Sequence, residues 1–278
     1  MTSRPDNKVN PTGGDGAIQR ATAAQRKLAA SLQQTRHRRD TGLFAIEGTR
    51  AVTDTLGLFH TEMILATPAW LGSDAAKALR HTTAPVLSVS ESEMERISAM
   101  KTPQGVVAVC RIPVRETPAD LGTHSLVLAL DDVQDPGNLG TIIRVADWFG
   151  VRTILASRNT VDAFNPKVVQ ATMGALARVE VHYVDLADTL AKAAAAGTAI
   201  CGTLLDGENI YRSQLPAAGI VVMGNEGNGL SQQVRALLTH RLLIPPYPAS
   251  DADSVESLNV AMATGIVLSE FRRRLQVL

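Results

Sequence analysis

The stretch SLVLALDDVQDPGNLGTIIRVADWFGVRTILAS (125–157) reads as strand, loop, helix, strand. SLVLALD (125–131) and TILAS (153–157) are continuous apolar runs rather than alternating ones, the pattern of strands buried on both faces. Between them Asn138–Phe149 carries helical periodicity, with Asn138 as a good N-cap after the Pro136–Gly137 turn. The same rhythm continues downstream. VEVHYV (179–184), AICGTLL (199–205), GIVVMG (219–224) and RLLIP (241–245) are strands, with helices at Pro166–Ala175, Leu186–Ala196 and Ser231–Leu238. A long helix from Val255 to about Leu275 ends in Arg272, Arg273 and Arg274. The pattern implies an α/β fold with a parallel sheet covered on both sides. In such sheets ligands bind beyond the carboxyl ends of the strands, so functional residues are expected just after them.

Working outward, the front half is a smaller α/β set. Its strands are FAIEG (44–48), ILATP (64–68), VLSVS (86–90) and GVVAVCRIP (105–113), with a helix over Glu91–Met100 capped by Ser90. The polar segment VRETPADLGTH (114–124) reads as a linker. This divides the chain into a basic flexible arm (1–27), a small domain (28–113), the linker, and the sheet domain (125–278). At 278 residues the chain has room for about two domains.

Composition narrows the class. The 27 Lys and Arg balance the 27 Asp and Glu, so the molecule as a whole has no basic field. Residues 1–40 depart from this balance: Arg4, Lys8, Arg20, Arg26, Lys27, Arg36, Arg38 and Arg39 face only Asp6, Asp15 and Asp40, a net +5. Such an arm suits either a solvated tail or a contact with RNA phosphates. Cys110 and Cys201 sit singly inside apolar runs, which excludes a disulfide scaffold or a Cys-rich zinc site. No apolar run approaches the ~20 residues of a membrane helix, and the start, MTSRPDNKVNPTGG, has no secretory core. A cytoplasmic, soluble α/β protein without a metal centre or membrane contact is expected.

Three loops pass the strand-end filter. In DDVQDPGNLGTIIR (131–144), Gly137 and Gly140 permit close backbone approach, and Arg144 can reach back toward the strand ends. MGNEGNGL (223–230) exposes backbone through three glycines, and Glu226 sits ahead of a helix start, where a carboxylate also favours the dipole. SLNVAMATGIVL (257–268) opens on Ser257, a natural cap, and Asn259, whose helical propensity is poor unless its side chain has a partner.

In order and spacing, N-x-G-x-x-x-R (Asn138–Arg144), G-x-E-x-x-G (Gly224–Gly229) and S-L-N-V-A (Ser257–Ala261) resemble the three motifs of SpoU-type, TrmH-like 2′-O-ribose RNA methyltransferases of the SPOUT superfamily. FNPKVVQATMGA (164–175) is similar to a further family segment. LFAIEGTRAV (43–52) and TPQGVVAVC (102–110) resemble the L30e-like substrate-binding domain of ribosomal RNA members. One departure is PYPASDADSVE, a longer link than usual between Pro246 and Ser257, with acidic Asp251, Asp253 and Glu256.

The resemblance implies a small L30e-like α/β/α domain and a catalytic domain with a C-terminal deep trefoil knot, working as a homodimer. It implies S-adenosylmethionine as cofactor, with contacts around Thr203, Leu204, Gly224, Ile244 and Leu258. Structured RNA is the implied partner, 23S ribosomal RNA foremost, with Arg36, Arg38, Arg39 and Arg50 toward it. The other readings are transfer RNA, or an RNA-binding protein without catalysis; a nucleotide-dependent oxidoreductase lacks its GxGxxG. By the same resemblance Arg144, Asn138, Glu226, Ser257 and Asn259 carry the chemistry. Family mechanisms often give Arg144 the proton. A guanidinium stays protonated at working pH, so Arg144 is better suited to bind a phosphate and stabilise a developing alkoxide.

Overall fold

In a computed structural model, residues 18–247 and 257–275 are described. The expected arm over 1–17 and the acidic link over 248–256 lie outside them. The chain forms two compact units, one reaching to Pro113 and including Phe164–Pro166, the other covering Val114–Ala163 and Lys167 onward.

The first unit begins with α1 (Ala23–Ser31), whose cap Thr22 and N3 residue Gln25 bond reciprocally. The helix thus takes in the last residues expected of a flexible arm. After α2 (Thr35–Thr41) come β1 (Leu43–Glu47), α3 (Thr49–Thr55), β2 (Thr61–Ala66), α4 (Pro68–Leu71), a 3-10 segment (Asp74–His81), β3 (Val86–Ser88), α5 (Glu91–Ile97) and β4 (Val106–Arg111). Ser90 caps α5 with Glu93 returning the bond, as its sequence implies. The sheet runs β1-β4-β2-β3, antiparallel except between β2 and β3. Alternate residues Ala45, Met63, Leu65, Val107 and Val109 pack with Ala29, Leu32, Met94 and Ile97 of the α1–α5 side. The intervening Phe44, Ile46, Ile64 and Ala108 are also buried, so helices cover both faces, α3 packing against β1 and β4.

The second unit has β5 (Leu126–Leu130), α6 (Pro136–Trp148), β6 (Thr153–Ser157), α7 (Pro166–Ala171), β7 (Glu180–Val184), α8 (Leu186–Ala195), β8 (Ile200–Asn209), β9 (Gly219–Met223), α9 (Gln232–Arg235), β10 (His240–Leu243) and α10 (Val260–Leu275). The strands are all parallel, in the order β10-β8-β9-β5-β6-β7. Every residue of β5 and β9 is buried, which is why these strands read as unbroken apolar runs. The expected linker is partly built into this unit: Leu121 packs against its core, and its carbonyl accepts from Thr198 Oγ1 at 3.3 Å.

Chain direction across the sheet reverses at β5. β6 and β7 are added on one side, and β9, β8 and β10 fill the other. The crevice at such a switch point is where a doubly wound sheet binds ligands, and it lies between the loops that follow β5 and β9. Cys110 and Cys201 are buried, unlinked thiols, and burial pushes their pKa values up to about 11 and about 12. Among the described residues no helix is long and apolar enough to cross a membrane.

Candidate active site

The first loop turns into α6 earlier than its sequence suggests. Asp135, not Asn138, is the cap, its Oδ1 accepting from Asn138 N at 2.8 Å, with Pro136 at the first helical position. Proline there costs no hydrogen bond. The exchange leaves the Asn138 side chain, one turn into the helix, free for other partners.

Those partners come from the other two loops. Asn138 Nδ2 donates to Glu226 Oε1 at 2.8 Å, and Asn259 Nδ2 donates to Asn138 Oδ1 at 2.9 Å. Asn259 Oδ1 in turn accepts from Ala261 N and Met262 N at 3.0 and 3.2 Å. Asn259 is therefore the cap of α10 as well as the partner of Asn138. α10 begins at Val260 rather than Val255, and the capping role suggested for Ser257 falls to Asn259. Three segments far apart in sequence thus meet in one side-chain chain that ends on a carboxylate.

Arg144 is exposed on α6 and, among the described residues, makes no ion pair or hydrogen bond. An unpaired guanidinium on the helix that carries Asn138 is equipped to receive a phosphate. Ser257 is exposed and joins no hydrogen bond of the cluster.

Gly227 and Gly229 are exposed, as expected, and a Cβ on Gly229 would meet open space, whereas Gly140 and Gly224 serve close packing. A Cβ on Gly224 would lie 2.4 Å from the carbonyl carbon of Gly229, and one on Gly140 would lie 2.4 Å from Ala171 Cβ. Gly140 is thus a packing position between α6 and the α7 segment. Gly224 is needed where the two legs of the 224–229 turn converge.

The expected cofactor positions gather on adjacent strands. β8 pairs with β9 only as far as Gly202↔Val222. Its pairing with β10 jumps from Arg241↔Gly202 to Leu242↔Glu208, so residues 203–207 have no partner in the β10 ladder. Thr203 and Leu204 lie in that stretch, with Thr203 Oγ1 3.8 Å from Met223 Sδ, while Gly224 follows β9 and Ile244 follows β10. Backbone donors and acceptors outside a ladder, near strand ends, are of the kind that small-molecule sites use to fix a ligand. Leu258 is 48% exposed at the opening of the third motif.

In the first unit the four arginines part company. Arg39 is exposed and makes no contact among the described residues. Arg36 pairs with Asp40 and Arg50 with Asp54, one helical turn on, both largely exposed. Arg38 is 1% exposed, donating to Leu32 O at 2.8 Å, Gln33 O at 3.1 Å and Thr35 Oγ1 at 3.0 Å. The expectation that Arg38 meets RNA is corrected, since its guanidinium is consumed by the carbonyls between α1 and α2.

Sequence reading also missed Asn225, Asp131 and Asp132. Asn225 Nδ2 donates to Asp132 O at 2.7 Å, and Ser231 N donates to Asp131 Oδ2 at 2.7 Å. Asn225 lies inside MGNEGNGL, and the two aspartates end SLVLALD and open the loop, so position at strand ends was the one available signal.

Comparison with known proteins bears on the same two units. Residues 125–269 match the SpoU rRNA Methylase family, and residues 24–108 match the MRM3-like substrate binding domain. A 23S rRNA (guanosine(2553)-2′-O)-methyltransferase, RlmP, of Bacillus subtilis is 30% identical over 87% of this chain and 93% of its own length. A TrmH-family structure from Porphyromonas gingivalis superposes with a TM-score of 0.79 at 41% identity, over 91% of this chain and 99% of that one. An AdoMet-bound rRNA methyltransferase from Sinorhizobium meliloti gives a TM-score of 0.78 at 30% identity, over 93% and 97%. With the motif residues joined at the switch point and the family match spanning the sheet domain, this chain belongs to the SpoU rRNA methylase family.

Proposed function

We propose that this protein transfers a methyl group from S-adenosylmethionine to a ribose 2′-hydroxyl of structured RNA, with 23S ribosomal RNA as the substrate. The observation that carries the reading is the Glu226–Asn138–Asn259 chain at the switch point, with the unpaired Arg144 on the same helix as Asn138. Relatives named for 23S rRNA favour the ribosomal substrate over transfer RNA. A chain that kept only RNA binding would have no need for this polar cluster.

When bound, S-adenosylmethionine supplies an electrophilic methyl group. The groups for holding it are the backbone of Thr203, Leu204, Gly224, Ile244 and Leu258. Arg144 takes the phosphate next to the target ribose and stabilises negative charge as the 2′-oxygen gives up its proton. That proton leaves to a phosphate oxygen or to water, because a guanidinium is no base. Asn138, held by Glu226 and Asn259, anchors the start of α6, the helix from which Arg144 reaches, and Ser257 completes the polar wall. Positioning of this kind is worth up to about 7–11 kcal/mol in favourable intramolecular reactions.

The reading includes a deep trefoil knot at the C-terminal end of the sheet domain and a homodimer formed through it. Trp148 on α6 and Met262 on α10, helices that pack together, are 85% and 64% exposed, and large apolar side chains left outside suit an interface. Arg36, Arg39 and Arg50 of the first unit are assigned to the RNA, and the site of action to the cytoplasm, where ribosomal RNA is found. The test is to map 2′-O-methyl groups across the RNA of cells with and without this protein. Loss of a single ribosomal site is expected; an unchanged ribosomal map with a transfer-RNA site lost would overturn the substrate.

A further inference from the structure

The loop bearing Glu226 is gripped at both ends by two adjacent residues of the first loop. At its start Asn225 Nδ2 donates to the Asp132 carbonyl at 2.7 Å. At its end the buried Asp131 carboxylate accepts from Ser231 N, also at 2.7 Å. Asn225 spends its remaining atom inside the turn, where Oδ1 accepts from Gly227 N and Asn228 N, both at 2.9 Å. Its backbone exchanges two hydrogen bonds with Gly229 at 3.0 Å.

Asp132 holds φ of +62°, a left-handed conformation uncommon outside glycine and best tolerated by Asp and Asn. Its own N–H is tied to Ser157 Oγ at the end of β6, at 2.9 Å. The carbonyl that Asn225 finds is therefore set by a backbone locked from the neighbouring strand. Strain kept at such a place points to a positional requirement.

We infer that Asn225 is a positioning residue for methyl transfer: by joining the Asp132 carbonyl to the 225–229 turn, it sets Glu226 against Asn138. The inference rests on the functional reading above. Glu226 and Asn138 stand 88 residues apart in sequence. Beyond the β5–β9 pairing, which ends with Asp131 N donating to the Met223 carbonyl at 2.9 Å, the Asn225 and Asp131 side-chain ties join their loops. Asparagine suits the post because it accepts inside the turn and donates across to the other loop. Aspartate retains the acceptors but turns an oxygen toward the Asp132 carbonyl.

Asn225→Asp and Asn225→Ala in the full chain separate the two jobs. The readouts are S-adenosylhomocysteine affinity by calorimetry, thermal melting, and kcat and KM on a 23S rRNA transcript. Asn225→Asp should keep the melting temperature, and cofactor-product affinity within about threefold, while kcat falls by about tenfold or more with KM little changed. Asn225→Ala, which also opens the turn, should lose affinity and kcat together. In the Asn225→Asp background a further Glu226→Gln change should cost much less than it does alone, because residues acting as a unit are non-additive. Full kcat in Asn225→Asp, or additive losses in the double variant, overturns the inference. If the wild-type chain fails to bind S-adenosylhomocysteine, the functional reading falls first and this inference with it.

Discussion

Asn259 donates from Nδ2 to Asn138 Oδ1 across 2.9 Å, and the direction of that bond orients the whole cluster. The Oδ1 of Asn259 is engaged by two backbone amides at the start of α10, so only its amino group can face Asn138. Asn138 must then present its own amino group to the Glu226 carboxylate. Each amide is committed at both ends, which leaves no freedom to flip.

The first prediction follows from that polarity. Asn138→Asp is nearly isosteric but places a carboxylate oxygen opposite Glu226, replacing a donor with a like charge. Turnover should fall by a factor of about 10²–10³, the scale for a lost positioned donor, while the fold persists. Single-turnover methyl transfer near the wild-type rate would remove the Asn138–Glu226 bond from the mechanism.

Arg144 carries the second. It is exposed and unpaired among the described residues, so Arg144→Ala should leave melting temperature and S-adenosylhomocysteine affinity close to wild type while abolishing methyl transfer. Arg144→Lys should also be poor, since a point charge does not reproduce a planar fork. If the residue binds a phosphate, the slope of log affinity for RNA against log salt should drop by about one unit. Near-normal turnover in the alanine variant would exclude the role.

Gly224→Ala is the third, with a more local cause than ligand contact. The added methyl would sit 2.4 Å from the Gly229 carbonyl carbon and 2.7 Å from Leu230 N, against backbone that cannot swing aside. The turn must open, taking Glu226 and the neighbouring backbone with it. Calorimetry should show S-adenosylhomocysteine affinity reduced at least tenfold, about 1.4 kcal/mol; unchanged affinity would place the cofactor elsewhere.

These residues also show what was legible in advance. β5, β6 and β9 fell within a residue or two of their expected spans, because burial on both faces writes an unbroken apolar run. β8 extends beyond its expected end into Asp206–Asn209, since Glu208 and Asn209 resume pairing with β10 after 203–207 are skipped, and a polar tail gives no strand signal. The helix start at Asp135–Pro136 was present in the sequence, yet Asn138 is an equally good cap by type. Asn225 and Asp132, 93 residues apart, share no periodicity, so their bond emerges only when β5 and β9 lie side by side. Arg38 looked like its exposed neighbours in TRHRRD, because composition records a charge and not the direction in which it folds.

A fourth prediction concerns acid. Glu270 on α10 is 5% exposed and accepts from Arg273 at 2.7 and 2.8 Å and from Arg274 at 2.7 Å. Arg273 foremost, with Arg274, pulls its pKa from 4.5 to about 2. A carboxylate depressed in the folded state contributes stability that is present above its unfolded value and lost as pH falls through the folded one. Wild type should therefore lose its melting advantage over Glu270→Gln between pH about 4.5 and about 2. A difference that stays constant across that window would show the ion pairs to be inert.

The last prediction separates two neighbouring cations of the first unit. Arg38 is buried with three acceptors at the α1–α2 turn, whereas Arg39, the next residue, is exposed and without a contact among the described residues. Truncating Arg38 leaves the buried Leu32 carbonyl without its donor, at about 1–3 kcal/mol if it stays unsatisfied. It also removes the bonds to the part-buried Gln33 carbonyl and Thr35 hydroxyl, and empties the space its side chain fills. Arg38→Ala should therefore lower the melting temperature markedly, with any loss of RNA binding following from unfolding. Arg39→Ala should leave melting unchanged, weaken RNA binding severalfold at low salt, and have less effect as salt rises, because an exposed phosphate contact is screened. Equal RNA affinity for Arg39→Ala and wild type at low salt would take this helix off the RNA-binding face. A folded, stable Arg38→Ala variant with impaired RNA binding would mean that the buried guanidinium swings out to meet RNA, and that its burial describes only the free protein.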